Sequence, residues 1–408
     1  MDKAKFTQIR RFIVKLGRML HKYETPSFRL EAHLMEVASY LGVRASFNST
    51  PTSIIFMIWS EGHEDEYTHA ARLEPGELDL GSLGRIDELV SELLSGKLTI
   101  DEADQRLTEI DNSPGVFHPL VSMLAYGMTT GAFALLMGAS WHDVGWTAMI
   151  GPVMFLFVAW SGRSKRVKLM LEPAVAMVAG LIACFVNSYI DGSINVRLVV
   201  LSSIIIFIPG LALTIGLAEL SSRHVVSGTS RVMDAVMQLF KLYFGAFLGI
   251  TLGAFLFQQT DFIPADPHPI WTRVLGVFVL CSALVVIFKL RFKHAPWAII
   301  AGFIAYFCTY FASQYLEFGL GTFVGAFALG VYANAFTRFA NAPASIVMMQ
   351  GLIVLVPGSK TYIGLNQVIS GQEFIQAEHV GQETFVILMS LVAGLIFANV
   401  VMPTKKAL

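Results

Sequence analysis

The sequence predicts an α-helical polytopic membrane protein, with ten transmembrane helices as two inverted five-helix repeats behind an N-terminal cytosolic α/β domain. Three observations predict this class. The chain of 408 residues is 54% hydrophobic and 14% charged, with its charges concentrated in the first quarter, the composition of a membrane protein with a soluble head. Ten apolar segments follow the head, each about long enough to cross a core of ~30 Å at 1.5 Å per residue. Two of them share a gapless motif, 207–217 and 355–365: Pro209-Gly210 matches Pro357-Gly358, and Ile215-Gly216-Leu217 matches Ile363-Gly364-Leu365.

Residues 1–113 read as the head. Phe6, Ile9, Phe12, Ile13, Leu16, Met19 and Leu20 recur at helical spacing, as do Leu30, Leu34, Val37, Ala38 and Leu41 after Thr25-Pro26, so two packed helices are expected. Stretches 43–47, 53–59 and 67–73 read as strands between turn residues such as Asn48, Pro51 and Gly62, and 80–94 and 100–110 as closing helices. Met1 to Arg11 opens an amphipathic pattern, not a cleavable signal, which predicts a cytosolic head. The run from His21 to Glu31, with His33 behind it, supports two readings. A hydrolase would use a histidine, an acid and Ser27. A helix–helix turn would use Thr25 as cap and place Arg29 and Glu31 in a charge network.

The membrane part divides into 114–257 and 271–402. Its segments are 119–138, 145–161, 172–190, 196–218, 232–257, 271–289, 295–313, 316–335, 344–366 and 381–402. With the head inside, the inner loops and tail carry twelve Lys and Arg and the outer loops none; Arg197 and Arg273 sit just inside outer helix ends. That asymmetry predicts the direction of insertion and places both termini in the cytosol at a cell (plasma) membrane. Five helices per half is an odd number, so the second half starts from the opposite face. Pro209 and Pro357 then fall about midway through the fourth and ninth segments, where proline and glycine break a helix. Matched breaks in two inverted halves are the sequence mark of a transporter's substrate site; ordinary kinks in packed helices are the alternative.

The candidate substrate-binding residues cluster at those breaks: Pro209, Gly210 and Thr214 in the first, Pro357, Gly358, Ser359, Lys360 and Thr361 in the second. Lys360 and the amides freed at the break are suited to a substrate carboxylate. Asp234 follows Pro209 by 25 residues and Glu383 follows Pro357 by 26. These near-equivalent acids are candidates for proton coupling, because a buried carboxylate holds its proton toward neutral pH; terminal residues reaching an interface are the alternative. Gln238, Gln350, Asn187 and Asn399 read as further ligands or as glue between helices. Gly127-x-x-x-Gly131 and Gly245-x-x-x-Gly249-x-x-x-Gly253 predict close helix approach. Cys184, Cys281 and Cys308 lie in apolar segments without metal-ligand spacing, so no metal or cofactor is expected.

At these residues the chain resembles the threonine/serine exporter family. The likeness rests on the run His21 to Glu31, on Leu73-Glu74-Pro75-Gly76, and on the helices carrying Pro209-Gly210 and Pro357-Gly358, and it covers essentially the whole chain. It implies export of small hydroxylated amino acids driven by the proton gradient, and two-chain relatives imply a dicarboxylate such as succinate as the second substrate class. The expected partners are therefore that substrate, protons and the lipid bilayer. No basic patch points to nucleic acid, and no G-x-x-x-x-G-K-[ST] motif points to ATP. The expectation is a transporter and not an enzyme, with a hydrolase in the head as the alternative reading; the sequence leaves open whether the chain is a homo-oligomer and whether the head senses or gates.

Overall fold

Period and burial agree throughout the head. The computed structural model describes residues 3–60, 66–113, 116–257, 268–316, 319–355, 362 and 380–404. Helices α1 (Lys3–Lys22) and α2 (Ser27–Tyr40) bury Ile9, Phe12, Leu16, Leu30 and Leu34 in one core. Strands β1 (Arg44–Thr50), β2 (Ser53–Trp59) and β3 (Tyr67–Arg72) form an antiparallel sheet in the order β1-β2-β3, with Phe56 opposite Phe47 and His69. Alternation places Ile54, Phe56 and Ile58 on the buried face. Gly17 lets α1 lie on that face, since a Cβ there would come 2.6 Å from the Phe56 ring. Helices α3 (Leu80–Leu94) and α4 (Ile100–Asn112) complete the head. Asp79 caps α3 by accepting from Ser82 N at 2.8 Å, and Thr99 and Glu102 form a reciprocal capping box on α4. Thr25 is not the cap of α2. Its backbone N–H is spent closing α1 on Leu20 O at 3.2 Å, Pro26 takes the cap position, and the Thr25 hydroxyl is buried without a partner among the described residues.

The membrane part consists of α5 (Pro119–Leu136), α6 (Trp141–Ser161), α7 (Lys165–Leu169), α8 (Leu171–Tyr189), α9 (Val196–Ser203), α10 (Gly210–Ser221), α11 (Val225–Leu256), α12 (Ile270–Ile287), α13 (Ala295–Ala312), α14 (Leu320–Ala340), α15 (Ser345–Leu355) and α16 (Val380–Val401). Among the described residues eight helices are long and apolar enough to cross a membrane, or nine if α9 and α10 form one bent span. Ten were expected. The difference lies in 344–366, whose described helix, α15, has 11 residues, about 16 Å or half a bilayer core. Pro357, Gly358, Ser359, Lys360 and Thr361 lie outside the described residues.

Glycine sets the tightest helix contacts. Gly245 and Gly249 meet the backbone of Pro173 and Met177 on α8, and Gly253 meets the Cys184 side chain there; a Cβ at Gly249 would lie 2.3 Å from Met177 O. Gly127 and Gly131 play the same part between α5 and α6, against Ala148 and Pro152. Helix α11 starts seven residues before the expected 232 and runs for 32 residues, about 48 Å, well beyond a bilayer core. Its first turns carry Ser227, Gly228 and Arg231, which read as loop by hydropathy but stay helical because they pack against α10 and the head.

That docking centres on Glu219, which has no exposed surface. Its Oε1 accepts from Ser27 N at 2.9 Å and Arg231 Nη2 at 3.4 Å, and its Oε2 from Ser227 Oγ at 2.8 Å and Arg231 Nε at 3.4 Å. Ser227 gives its one hydroxyl hydrogen to Glu219, so Ser27 Oγ donates to Ser227 Oγ at 2.6 Å. Around this centre, Leu80 N donates to Phe288 O at 3.0 Å, Glu88 pairs with Arg291 at 2.7 Å and Lys293 at 2.5 Å, and Glu74 pairs with Lys168 at 2.9 Å. Gly81 lies against Lys289 O, where a Cβ would stand 2.3 Å away.

Two outcomes test this packing. Gly249→Val should force α8 and α11 apart and cost about 2 kcal/mol or more, read as a lower midpoint of thermal unfolding in detergent. Glu219→Ala leaves a guanidinium, an amide and a hydroxyl without their acceptor; it should cost about 3 kcal/mol and speed proteolysis at the junction of head and membrane helices.

Candidate functional site

The fourth segment breaks where its proline requires. Pro209 has no N–H to donate and its ring crowds the carbonyl of Ile205. The chain leaves the α-helix at Ile204, makes a 3-10 turn over Ile205–Phe207 and re-enters at Gly210 with its axis turned by 48°. The backbone from 205 to 210 lines a cavity of about 1370 Å³. Irregular backbone at membrane depth is stable only against such a cavity or other protein.

Both membrane halves and the head line this cavity. Glu172 on α8 and Arg231, Asp234 and Gln238 on α11 line one side; Thr309 on α13, Thr322 on α14 and Glu383 on α16 line the other; Glu24, Pro51 and Gly76 come from the head. Among the described lining residues four are acids, Glu24, Glu172, Asp234 and Glu383, and one is a cation, Arg231. The walls are therefore net negative, a field that favours protons and ammonium groups. Thr129 and Thr309 belong to the lining, but their Oγ1 atoms are buried, without a hydrogen-bond partner among the described residues. Glu172 Oε2 has Lys241 Nζ at 3.9 Å and no hydrogen bond among the described residues.

Of the residues expected at the site, Pro209, Gly210, Asp234 and Glu383 border this one cavity. Asp234 Oδ2 accepts from Gln238 Nε2 at 3.0 Å. Thr214 does not line it; the side chain is buried and its hydroxyl donates to Gly210 O at 3.1 Å, one turn back on its own helix. The five residues of the second break lie outside the described residues. The other amides hold helices and loops: Gln350 Nε2 donates to Cys281 O at 2.6 Å, Asn187 Nδ2 to Ile194 O at 3.3 Å, and Asn399 Oδ1 accepts from Asn334 Nδ2 at 2.9 Å.

The head run divides between these contacts. His21 Nε2 meets Thr50 O at 3.1 Å while Ser27 is bound to Ser227 and Glu219, so the two residues a hydrolase needs together are separately engaged. Glu31 joins a polar network, accepting from Ser49 N at 2.7 Å with His224 at 3.8 Å. Arg29 does not; burial pushes its guanidinium down to about 10, and its Nη2 points to Met348 Sδ at 3.9 Å. Sequence reading passed over Glu219 and Glu172. The available signal was an acid at the end of an otherwise apolar helix, and Glu219 falls one residue past the expected segment end at 218.

Models of the threonine/serine exporter family match residues 11–253 and 273–401. Relatives named pheromone-regulated membrane protein 10 are 24% identical in Yarrowia lipolytica, over 87% of this chain and 30% of the relative; 25% in Debaryomyces hansenii, over 85% and 35%; and 27% in Candida albicans, over 87% and 33%. This chain thus spans about a third of the length of those relatives. No solved structure matches it. A multi-span membrane protein whose head and helices both fit these models, the chain belongs to the threonine/serine exporter family.

Proposed function

We propose that the chain is a secondary active exporter of threonine and serine, coupled to protons and working by alternating access around the Pro209-Gly210 and Pro357-Gly358 breaks. The observation that carries this reading is the large cavity beside the broken segment 205–210, net negative among its described lining residues. An amino acid such as threonine or serine brings an ammonium group to those acids. A dicarboxylate brings two negative charges to the same walls, which disfavours the succinate reading. The separate engagement of His21 and Ser27 removes support from the hydrolase reading.

Two further patterns support the architecture. In the first half the third helix packs on the fifth (α8 on α11) and the second on the fourth (α6 on α9); in the second half α14 packs on α16 and α13 on α15. This recurrence is what inverted repeats at 114–257 and 271–402 produce. Lys168, Arg231, Lys289, Arg291 and Lys293, from three loops or helix ends between spans, all pair with acids of the head or beside it. Those loops share the head's side, which under the positive-inside bias is the cytosolic side of the plasma membrane.

Proteoliposomes with an imposed pH gradient test the reading. Labelled threonine and serine should move with the gradient, and Pro209→Leu, which lets α9 and α10 join, should slow that movement roughly tenfold or more at unchanged expression, about 1.4 kcal/mol on the barrier to alternation. Movement of succinate alone would make the chain a dicarboxylate carrier. Full transport by both Pro209→Leu and Pro357→Leu would end the role given to the breaks.

A further inference from the structure

The corner between α1 and α2 is built against its own local chemistry. Glu24 N donates to His21 O at 3.0 Å and Thr25 N to Leu20 O at 3.2 Å, the paired bonds of a Schellman turn, and Glu24 stands at its left-handed position with φ +57°. Glycine is the residue that position favours, because a Cβ there is penalised. Five other helices close in the same way, α2, α3 and α5 on Gly42, Gly96 and Gly138, and α10 and α12 on a residue with a side chain. Arg223 (φ +64°) follows α10 and Lys289 (φ +53°) follows α12, each with the same two bonds. Those two are cations at the negative end of a helix dipole, which offsets part of the cost; Glu24 is an anion in the same field, which adds to it. Neither the turn nor the helix accounts for a glutamate here.

Its side chain gives the reason. The Glu24 carboxylate borders the central cavity and keeps 27% of its side-chain surface accessible. Its nearest cation is Arg231, whose Nη1 lies 3.9 Å away while Nε and Nη2 of the same guanidinium are committed to Glu219. The other charged groups that face it are acids: Asp234 from α11, Glu219 from α10 and Glu77 from the segment before α3, with Glu172 and Glu383 elsewhere on the cavity wall. Burial pushes the Glu24 carboxyl above the ordinary value of 4.5; Arg231 opposes that rise, and Asp234, Glu77 and Glu219 add to it. The group combines access to the cavity, a shared cation and an environment that favours the neutral acid.

We propose that Glu24, supplied by the head and not by a membrane helix, is a proton-carrying carboxylate of the exporter, loading one proton from the cavity and releasing it on the head's side. The assignment rests on the proton-coupled reading above. The step is a single protonation: a carboxylate oxygen takes the proton, Arg231 turns wholly to Glu219, and loss of the proton restores the shared arrangement.

The test uses the full chain, native, Glu24→Gln and Glu24→Gly, in proteoliposomes and in detergent. For both variants, the ratio of gradient-driven threonine accumulation to gradient-free threonine exchange should fall at least tenfold, together with the substrate-dependent change of internal pH. Glu24→Gly should unfold at a temperature no lower than the native chain, because it relieves the left-handed strain. A purely structural glutamate predicts the reverse, a lower unfolding temperature with the ratio unchanged, and that result overturns the assignment. A third readout needs no transport. An acid whose folded value is raised contributes stability that is present below 4.5 and lost as pH rises through the folded value, so the native unfolding midpoint should fall across that window and the Glu24→Gln midpoint should fall less. Equal pH dependence in the two chains also overturns it. A native chain that moves threonine while Glu24→Gln keeps full coupling sinks the assignment alone; a native chain that moves no amino acid, but shows the Glu24-dependent fall in midpoint, sinks the exporter reading alone.

Discussion

A helix interrupted at membrane depth exposes backbone groups that lipid cannot satisfy, and much of this structure follows from that constraint. Pro209 removes a donor and displaces the carbonyl of the preceding turn, so the backbone from 205 to 210 needs protein or a wet cavity beside it. The bundle supplies the cavity, with α8 and α11 on one side and α13, α14 and α16 on the other. Close packing elsewhere leaves the opening where the break is. Glycine contacts bring α11 against α8, and α5 and α6 meet across Gly127 and Gly131.

The head is part of the same arrangement. Glu219, on the half-helix that follows the break, binds the first residue of α2 through a backbone amide and a serine pair, and binds α11 through a forked guanidinium contact. A buried carboxylate with four donors is stable because each lone pair is used. A tilt of α10 relative to α11 would break these bonds unless the head followed. The α1–α2 corner and the broken helix are therefore mechanically joined, and the head reaches the cavity through Glu24, Pro51 and Gly76.

The cavity's charge gives this arrangement its chemistry. Four acids and one guanidinium among the described walls make a site in which protonation and a substrate ammonium compete for the same field. Under the proposed exporter function, that competition is what would couple protons to an amino acid.

The sequence by itself determined what local rules reach. Apolar length marked the spans, proline and glycine marked the break in the fourth, flanking turn residues marked β2 at its observed bounds, and small-xxx-small spacing marked the α8–α11 contact from its α11 side. Each of these signals lies within one continuous stretch of chain. Only the tertiary structure decided which polar groups meet. Ser27 and Glu219 are 192 residues apart, and no periodicity connects them. Thr214 was placed at the site by its position in the motif, yet its hydroxyl turns to the carbonyl one turn back, the nearest acceptor in a helix. Thr25 was read as a cap, yet Pro26 takes the cap position and the Ser27 amide donates to Glu219 from across the fold. Glu24 looked like one charge among several in a polar run. Packing of the head against α10 and α11 turned it toward the cavity, because burial and partner geometry, which fix the chemistry of a carboxylate, are properties of the assembled fold.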